Sequence, residues 1–162
     1  MGNKVLDMIK DEGAEYVDIR FTDPRGKLQH VTLIADQVDE DFLEEGFMFD
    51  GSSIEGWKSI EASDMKLMID LDSAYVDPFY AEKTICVHCS VVEPDTGEAY
   101  ERDPRGTALK AEAYLKSSGI GDVAYMGPEA EFFMFDDVKF EDGYDRSGFR
   151  IDDIELPTNS GR

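Results

Sequence analysis

Two places in the sequence hold side chains able to do chemistry with cations. The first is Gly127-Pro128-Glu129-Ala130-Glu131-Phe132-Phe133-Met134-Phe135. In an extended strand, residues two apart fall on one face, so the Glu129 and Glu131 carboxylates would sit about 6–7 Å apart. Beyond them both faces are apolar, the pattern of a strand covered on two sides. Unpaired ionised carboxylates entering such a strand would each cost several kcal/mol, and divalent cations would relieve both desolvation and mutual repulsion. Hard oxygen donors point to magnesium or manganese rather than zinc. An alternative is a strand end that emerges into solvent with both acids simply exposed.

The second place is Phe49-Asp50-Gly51-Ser52-Ser53, followed closely by the only tryptophan, Trp57. Small residues beside Asp50 let another surface approach the backbone, and Ser52 or Ser53 can hydrogen-bond a polar ligand. An ordinary Asx turn would use the same residues. Trp57 in a glycine-rich loop reads as core or interface packing rather than a ligand platform.

A third grouping, Cys86-Val87-His88-Cys89, has the residue types of a metal knuckle. It lies in a β-branched, apolar run that reads as a strand. Residues three apart on a strand face opposite ways, and no second cysteine pair exists to complete a zinc site. Buried reduced thiols are expected. His30 is expected to be a structural or exposed imidazole. The acidic stretch from Asp136 to Glu155 does not match the spacing of a calcium-binding EF-hand loop.

These residues need a scaffold. Val5, Leu6, Met8 and Ile9 form a helical apolar stripe that ends at Gly13. Tyr16–Thr22 and Lys27–Leu33 alternate across Asp23-Pro24-Arg25-Gly26, a hairpin. Asp39–Glu45 predicts a short helix closed by Gly46, and the stretch from Phe47 to Trp57 predicts a loop. Met65–Leu71 and Thr84–Val92 predict strands, with a hairpin turn over Glu93–Gly97. Asp103-Pro104 is an N-cap followed by proline at the first helical position, ahead of a helix over Ala108–Lys116. Val123–Met126 and Glu129–Phe135 predict further strands, and Asp142-Gly143 a tight turn. The fold class is therefore α+β.

Composition limits the partners. Sixteen Lys and Arg against 37 Asp and Glu give a formal charge of −21 over 162 residues. Such an excess repels nucleic-acid phosphates and anionic lipid but attracts cations. No apolar run reaches the roughly 18 residues needed to span a bilayer, and no apolar leader opens the sequence, so a soluble, cytoplasmic protein is expected.

Three segments in chain order resemble type I glutamine synthetase. Phe21-Thr22-Asp23, Gly26-Lys27 and Gln29-His30-Val31-Thr32 are similar to the family's first hairpin. Phe49-Asp50-Gly51-Ser52-Ser53-Ile54 with Gly56-Trp57 is similar to its signature loop. Gly127-Pro128-Glu129-Ala130-Glu131-Phe132-Phe133 is similar to the start of its catalytic domain. The family enzyme is considerably longer. The resemblance thus implies a β-grasp-like N-terminal domain over residues 1–103 and only the opening of the catalytic domain over 104–162.

It further implies ATP-dependent ligation of ammonia to L-glutamate through γ-glutamyl phosphate, giving glutamine, ADP and phosphate. By the same resemblance Glu129 and Glu131 would each help hold one of two Mg²⁺ or Mn²⁺ ions. Asp50 and Ser53 would line the ammonium pocket, with Trp57 packed nearby. The loop would reach the active site of a neighbouring subunit in a homo-oligomer of stacked six-membered rings, a dodecamer. The 162-residue chain alone is expected to be inactive. Two other readings are a non-catalytic acidic β-grasp interaction module and a related ligase acting on another amine.

Overall fold

The computed structural model describes residues 4–59, 61 and 63–157. The chain divides into two compact units, one running to Ala124 and the other starting at Tyr125. Each is described separately.

The first unit opens with α1 (Lys4–Glu12), whose apolar stripe buries Val5 and packs Leu6, Met8 and Ile9 on the core. Gly13, at φ 62°, ends the helix in the left-handed region that glycine adopts without steric penalty. β1 (Tyr16–Thr22) and β2 (Leu28–Ile34) form the expected antiparallel hairpin, with Asp18 opposite Thr32 and Arg20 opposite His30. β3 (Phe47–Asp50), β4 (Asp64–Ile69), β5 (Tyr75–Val76) and β6 (Thr84–Val92) complete a six-stranded sheet. Its order is β2-β1-β6-β4-β3, with β5 pairing β6 off this path. The central pair, β1 and β6, is parallel and the other pairings are antiparallel.

Alternation on the central strands sorts the side chains. Val17, Ile19 and Phe21 of β1, with Ile85 and Val87 of β6, go to the hydrophobic core. On the opposite parity, Asp18 is fully buried and accepts hydrogen bonds from Arg20 Nε (2.7 Å) and Thr32 Oγ1 (2.6 Å), with His30 Nδ1 2.7 Å away. Arg20 also donates to Asp77 (2.8 Å) and to the Tyr75 hydroxyl (2.6 Å). Burial alone would raise the Asp18 pKa, but donors from Thr32, Arg20 and His30 outweigh it and hold the carboxyl below its usual range.

The cysteines follow the same parity. Cys86 pairs in register with Asp18 and Cys89 with Ile69, so the thiols lie on opposite faces of β6. Burial pushes them up to about 11 and about 12, leaving both protonated and inert at neutral pH. Among the described residues no group of three or more His, Cys, Asp and Glu is placed to hold a metal ion. None of their helices is long and apolar enough to cross a membrane.

Two helices are fixed by their caps. α2 (Glu40–Glu45) starts at Asp39, whose carboxylate accepts from the Phe42 amide at 2.8 Å. α3 (Pro104–Ser118) starts at Asp103, 1% exposed, which accepts from the Arg105 amide and from the Val91 amide of β6, each at 3.0 Å. That single carboxylate caps the helix and fastens its first turn to the sheet. α3 starts with Pro104 at its first helical position behind the Asp103 cap, as the sequence indicates, and runs through the expected Ala108–Lys116 to Ser118. Phe47–Asp50, expected as loop, pairs with β4 as a strand, and the two-residue β5 carried no periodic signal.

The second unit departs from expectation. Residues 123–135 form no strand; the regular structure is a hairpin of β7 (Asp137–Asp142) and β8 (Ser147–Asp152), closed where the Gly143 amide donates to the Arg146 carbonyl at 2.9 Å. Phe132, Phe133 and Met134 are exposed. The physical reason is pairing. A strand apolar on both faces is stable only where neighbouring strands and two covering layers exist, and the described residues of this unit provide only a two-stranded ribbon. Phe133 and Phe135 nevertheless stack at 5.9 Å and 8°, the same-side placement expected two residues apart along extended backbone.

Candidate active-site loop

Asp50 is the last residue of β3, directly opposite Asp64 of β4, and its side chain is exposed. The chain then turns through a single 3₁₀ turn, Gly51–Ser53. Oδ1 of Asp50 accepts two hydrogen bonds from Ser52, one from the backbone amide (2.8 Å) and one from the hydroxyl (2.7 Å). These hold the Asp50 carboxyl below the usual carboxylate range, the hydroxyl first and the amide second, against a small opposing effect of burial and with a further contribution from Ser63. Asp50 is therefore a fixed anion at neutral pH and a poor base.

The turn is anchored from beneath. The Gly51 amide donates to the Ser63 carbonyl at 2.7 Å. A Cβ at position 51 would lie 2.4 Å from Met65 Cγ, so only glycine lets the turn rest on β4 without displacing that side chain. Ile54 and Trp57 donate their amides to Gly51 and Ile54 carbonyls, each at 3.2 Å. Trp57, 6% exposed, packs against Phe21 (5.6 Å), Phe49 (6.0 Å) and Tyr100 (5.6 Å). Its indole Nε1 is buried without a hydrogen-bond partner among the described residues. Arg25 pairs with Glu55, and Arg102 donates to the Gly56 carbonyl at 2.7 Å, tying the outside of the loop to neighbouring turns.

The expected site residues fall into two sets. Asp50 caps the 3₁₀ turn that ends at Ser53, both with exposed side chains, and Trp57 is the buried anchor of the loop that carries them. Glu129 and Glu131 belong to the other compact unit, where both are exposed and neither forms an ion pair among the described residues. Residue types alone leave Ser52 and Ser53 equivalent and the family resemblance points to Ser53, whereas the serine bonded to Asp50 is Ser52. The distinguishing signal is positional, because the amide two residues after an aspartate is the natural donor to its carboxylate.

Comparison with known proteins covers both stretches of the chain. The family model "Glutamine synthetase, beta-Grasp domain" matches residues 13–94, and "Glutamine synthetase, catalytic domain" matches residues 101–161. The glutamine synthetase of Cereibacter sphaeroides is 75% identical over 147 residues, covering 91% of this chain and 32% of that protein. That of Rhodobacter capsulatus is 74% identical over 149 residues, covering 92% and 34%. The chain thus spans about a third of the length of the curated relatives it matches. A cryo-EM structure of Plasmodium falciparum glutamine synthetase has the same fold, with a TM-score of 0.73 at 22% identity over 94% of this chain and 30% of that one. With both domain models matched in order and such identity to bacterial relatives, this chain belongs to the glutamine synthetase family, bacterial type.

Proposed function

We propose that this chain is the N-terminal part of an ATP-dependent glutamate–ammonia ligase working in the cytoplasm. In that reaction a γ-carboxylate oxygen of L-glutamate attacks the terminal phosphorus of ATP, and ADP leaves. Ammonia then attacks the resulting acyl carbon and phosphate departs, leaving L-glutamine. The observation that carries the reading is an exposed carboxylate, Asp50, held as an anion on an anchored turn in a family whose members are named for this product.

Ammonium is a small cation that only donates hydrogen bonds. An anionic Asp50 attracts and orients it, and Ser53, exposed on the same turn, offers a second oxygen acceptor. With its carboxyl held below the usual range, Asp50 serves for binding and orientation, and proton removal falls to another group. Trp57 fixes the loop from within its own unit.

The residues at the start of the catalytic domain suit a hard divalent ion, since Glu129 and Glu131 offer exposed carboxylate oxygens with no competing cationic partner among the described residues. Each would give one carboxylate to one of two Mg²⁺ or Mn²⁺ ions. Such ions neutralise phosphate charge when bound during phosphoryl transfer. Two carboxylates fall short of two shells of about six ligands, so the remaining ligands and the nucleotide and glutamate pockets lie in the other two thirds of the protein. The assembly is a homo-oligomer of stacked rings in which the Asp50 loop of one subunit completes the site of its neighbour.

Asp50→Asn in the full-length enzyme tests the reading. The expected result is a rise of about tenfold or more in the KM for ammonium, with the KM for ATP little changed. Unchanged ammonium saturation and turnover would remove Asp50 from the site.

A further inference from the structure

We propose that Ser52 is the positioning residue of the ammonium pocket: its hydroxyl and its amide together clamp Asp50 Oδ1, so that the carboxylate keeps one orientation toward the cation. The inference rests on the role proposed above for Asp50.

The geometry is specific. An Asx turn needs only the amide of the second following residue, and that bond is present at 2.8 Å. The hydroxyl bond at 2.7 Å, from the same residue to the same oxygen, is additional. An ionised carboxylate oxygen has about two in-plane acceptor sites, and Ser52 occupies both on Oδ1. A carboxylate held by one bond still rotates about its Cβ–Cγ axis, whereas two bonds from one anchored residue stop that rotation. The base of the clamp is itself fixed, because the preceding Gly51 amide is bonded to the Ser63 carbonyl across the turn.

The clamp also sets the polarity of Ser52. A hydroxyl has one donor and two acceptor sites. With the donor committed to Asp50, the Ser52 oxygen turns only lone pairs outward. That arrangement suits a ligand composed of N–H donors and gives nothing to an incoming acceptor. Both hydrogen bonds favour the ionised form of Asp50, in keeping with its depressed pKa. Ser52 thereby acts through Asp50 on ammonium and has no part in the handling of phosphate or glutamate.

The test uses the full-length enzyme with Ser52→Ala, Ser52→Thr and Asp50→Asn, measuring KM separately for ammonium, glutamate and ATP. Ser52→Ala removes the hydroxyl but keeps the amide, and should raise the ammonium KM roughly 3–10-fold while the other two stay within about twofold. Ser52→Thr keeps the donor and should restore the ammonium KM. An unchanged ammonium KM in Ser52→Ala, with a raised one in Asp50→Asn, would overturn the positioning role and leave that of Asp50 standing. A parallel rise in all three constants, or no rescue by threonine, would reduce Ser52 to a structural residue. An unchanged ammonium KM in Asp50→Asn would overturn the reading of Asp50 itself, and the clamp with it.

Discussion

The two compact units of this chain treat apolar sequence in opposite ways. In the first, residues such as Ile19, Leu67 and Ile85 are fully buried within a six-stranded sheet and its helices. In the second, Phe132, Phe140 and Phe149 are each close to four-fifths exposed on a two-stranded ribbon and the stretch before it. The sequences are not very different in apolar content; the number of partners is. A strand records its side-chain parity locally, but its burial depends on neighbours that lie elsewhere in the chain. The N-terminal unit encloses its own neighbours and so presents a finished loop with Asp50 held in place. The second unit presents Glu129 and Glu131 on backbone outside its two-stranded ribbon.

The largest expected effect follows directly. The 162-residue chain supplied with ATP, glutamate, ammonium and Mg²⁺ should form no detectable glutamine in a coupled assay, whereas the full-length protein should turn over. Measurable product from the chain alone would erase the distinction between a loop enclosed by its own unit and acids left on unpaired backbone.

Next in size is the buried acid of the first unit. Asp18→Asn strips the charge from a network that includes Arg20, Thr32, His30 and Asp77, and should cost about 3–5 kcal/mol by urea unfolding. The wild-type pH dependence has a defined sign. Because folding lowers the Asp18 pKa, its stabilisation is full above the unfolded value of about 3.9 and disappears as pH falls through the folded value. The urea midpoint should therefore drop steeply below about pH 4, and less steeply in Asp18→Asn.

Core truncation sharpens the contrast further. Leu67→Ala in the first unit should cost about 2–5 kcal/mol in this chain. Phe149→Ala in the second should change its unfolding free energy by less than about 0.5 kcal/mol, since the ring is already in water. Equal losses at the two positions would show that the aromatic side chains of the second unit are covered after all.

Much of the first unit was readable from sequence because its signals are local. The hairpin of β1 and β2 follows from alternation and its Pro-Gly turn, and α3 from an aspartate before a proline. The opposite-face placement of Cys86 and Cys89 follows from their three-residue spacing on a strand. The strand Phe47–Asp50 was missed because four residues beside a glycine-rich turn carry too short a period to read. The strand expected over Glu129–Phe135 failed for the opposite reason. Its pattern is clear, but a pattern cannot provide the ladder it describes. At the candidate site, residue types identified Asp50 and its serines, while the choice of Ser52 as the residue that grips it needed hydrogen-bond geometry.

A mixing experiment tests most directly the claim that the loop and the metal ligands of one site come from different copies of the protein. Full-length Asp50→Asn and Glu131→Gln variants, each impaired when assayed alone at ammonium well below the KM of Asp50→Asn, would be dissociated, mixed in equal amounts and reassembled. If each site takes its aspartate from one subunit and its glutamates from the next, about a quarter of random pairings restore both wild-type residues, and activity should return to about that fraction of wild type. A mixture no more active than the mean of the two variants would place both groups in the same subunit and contradict the account.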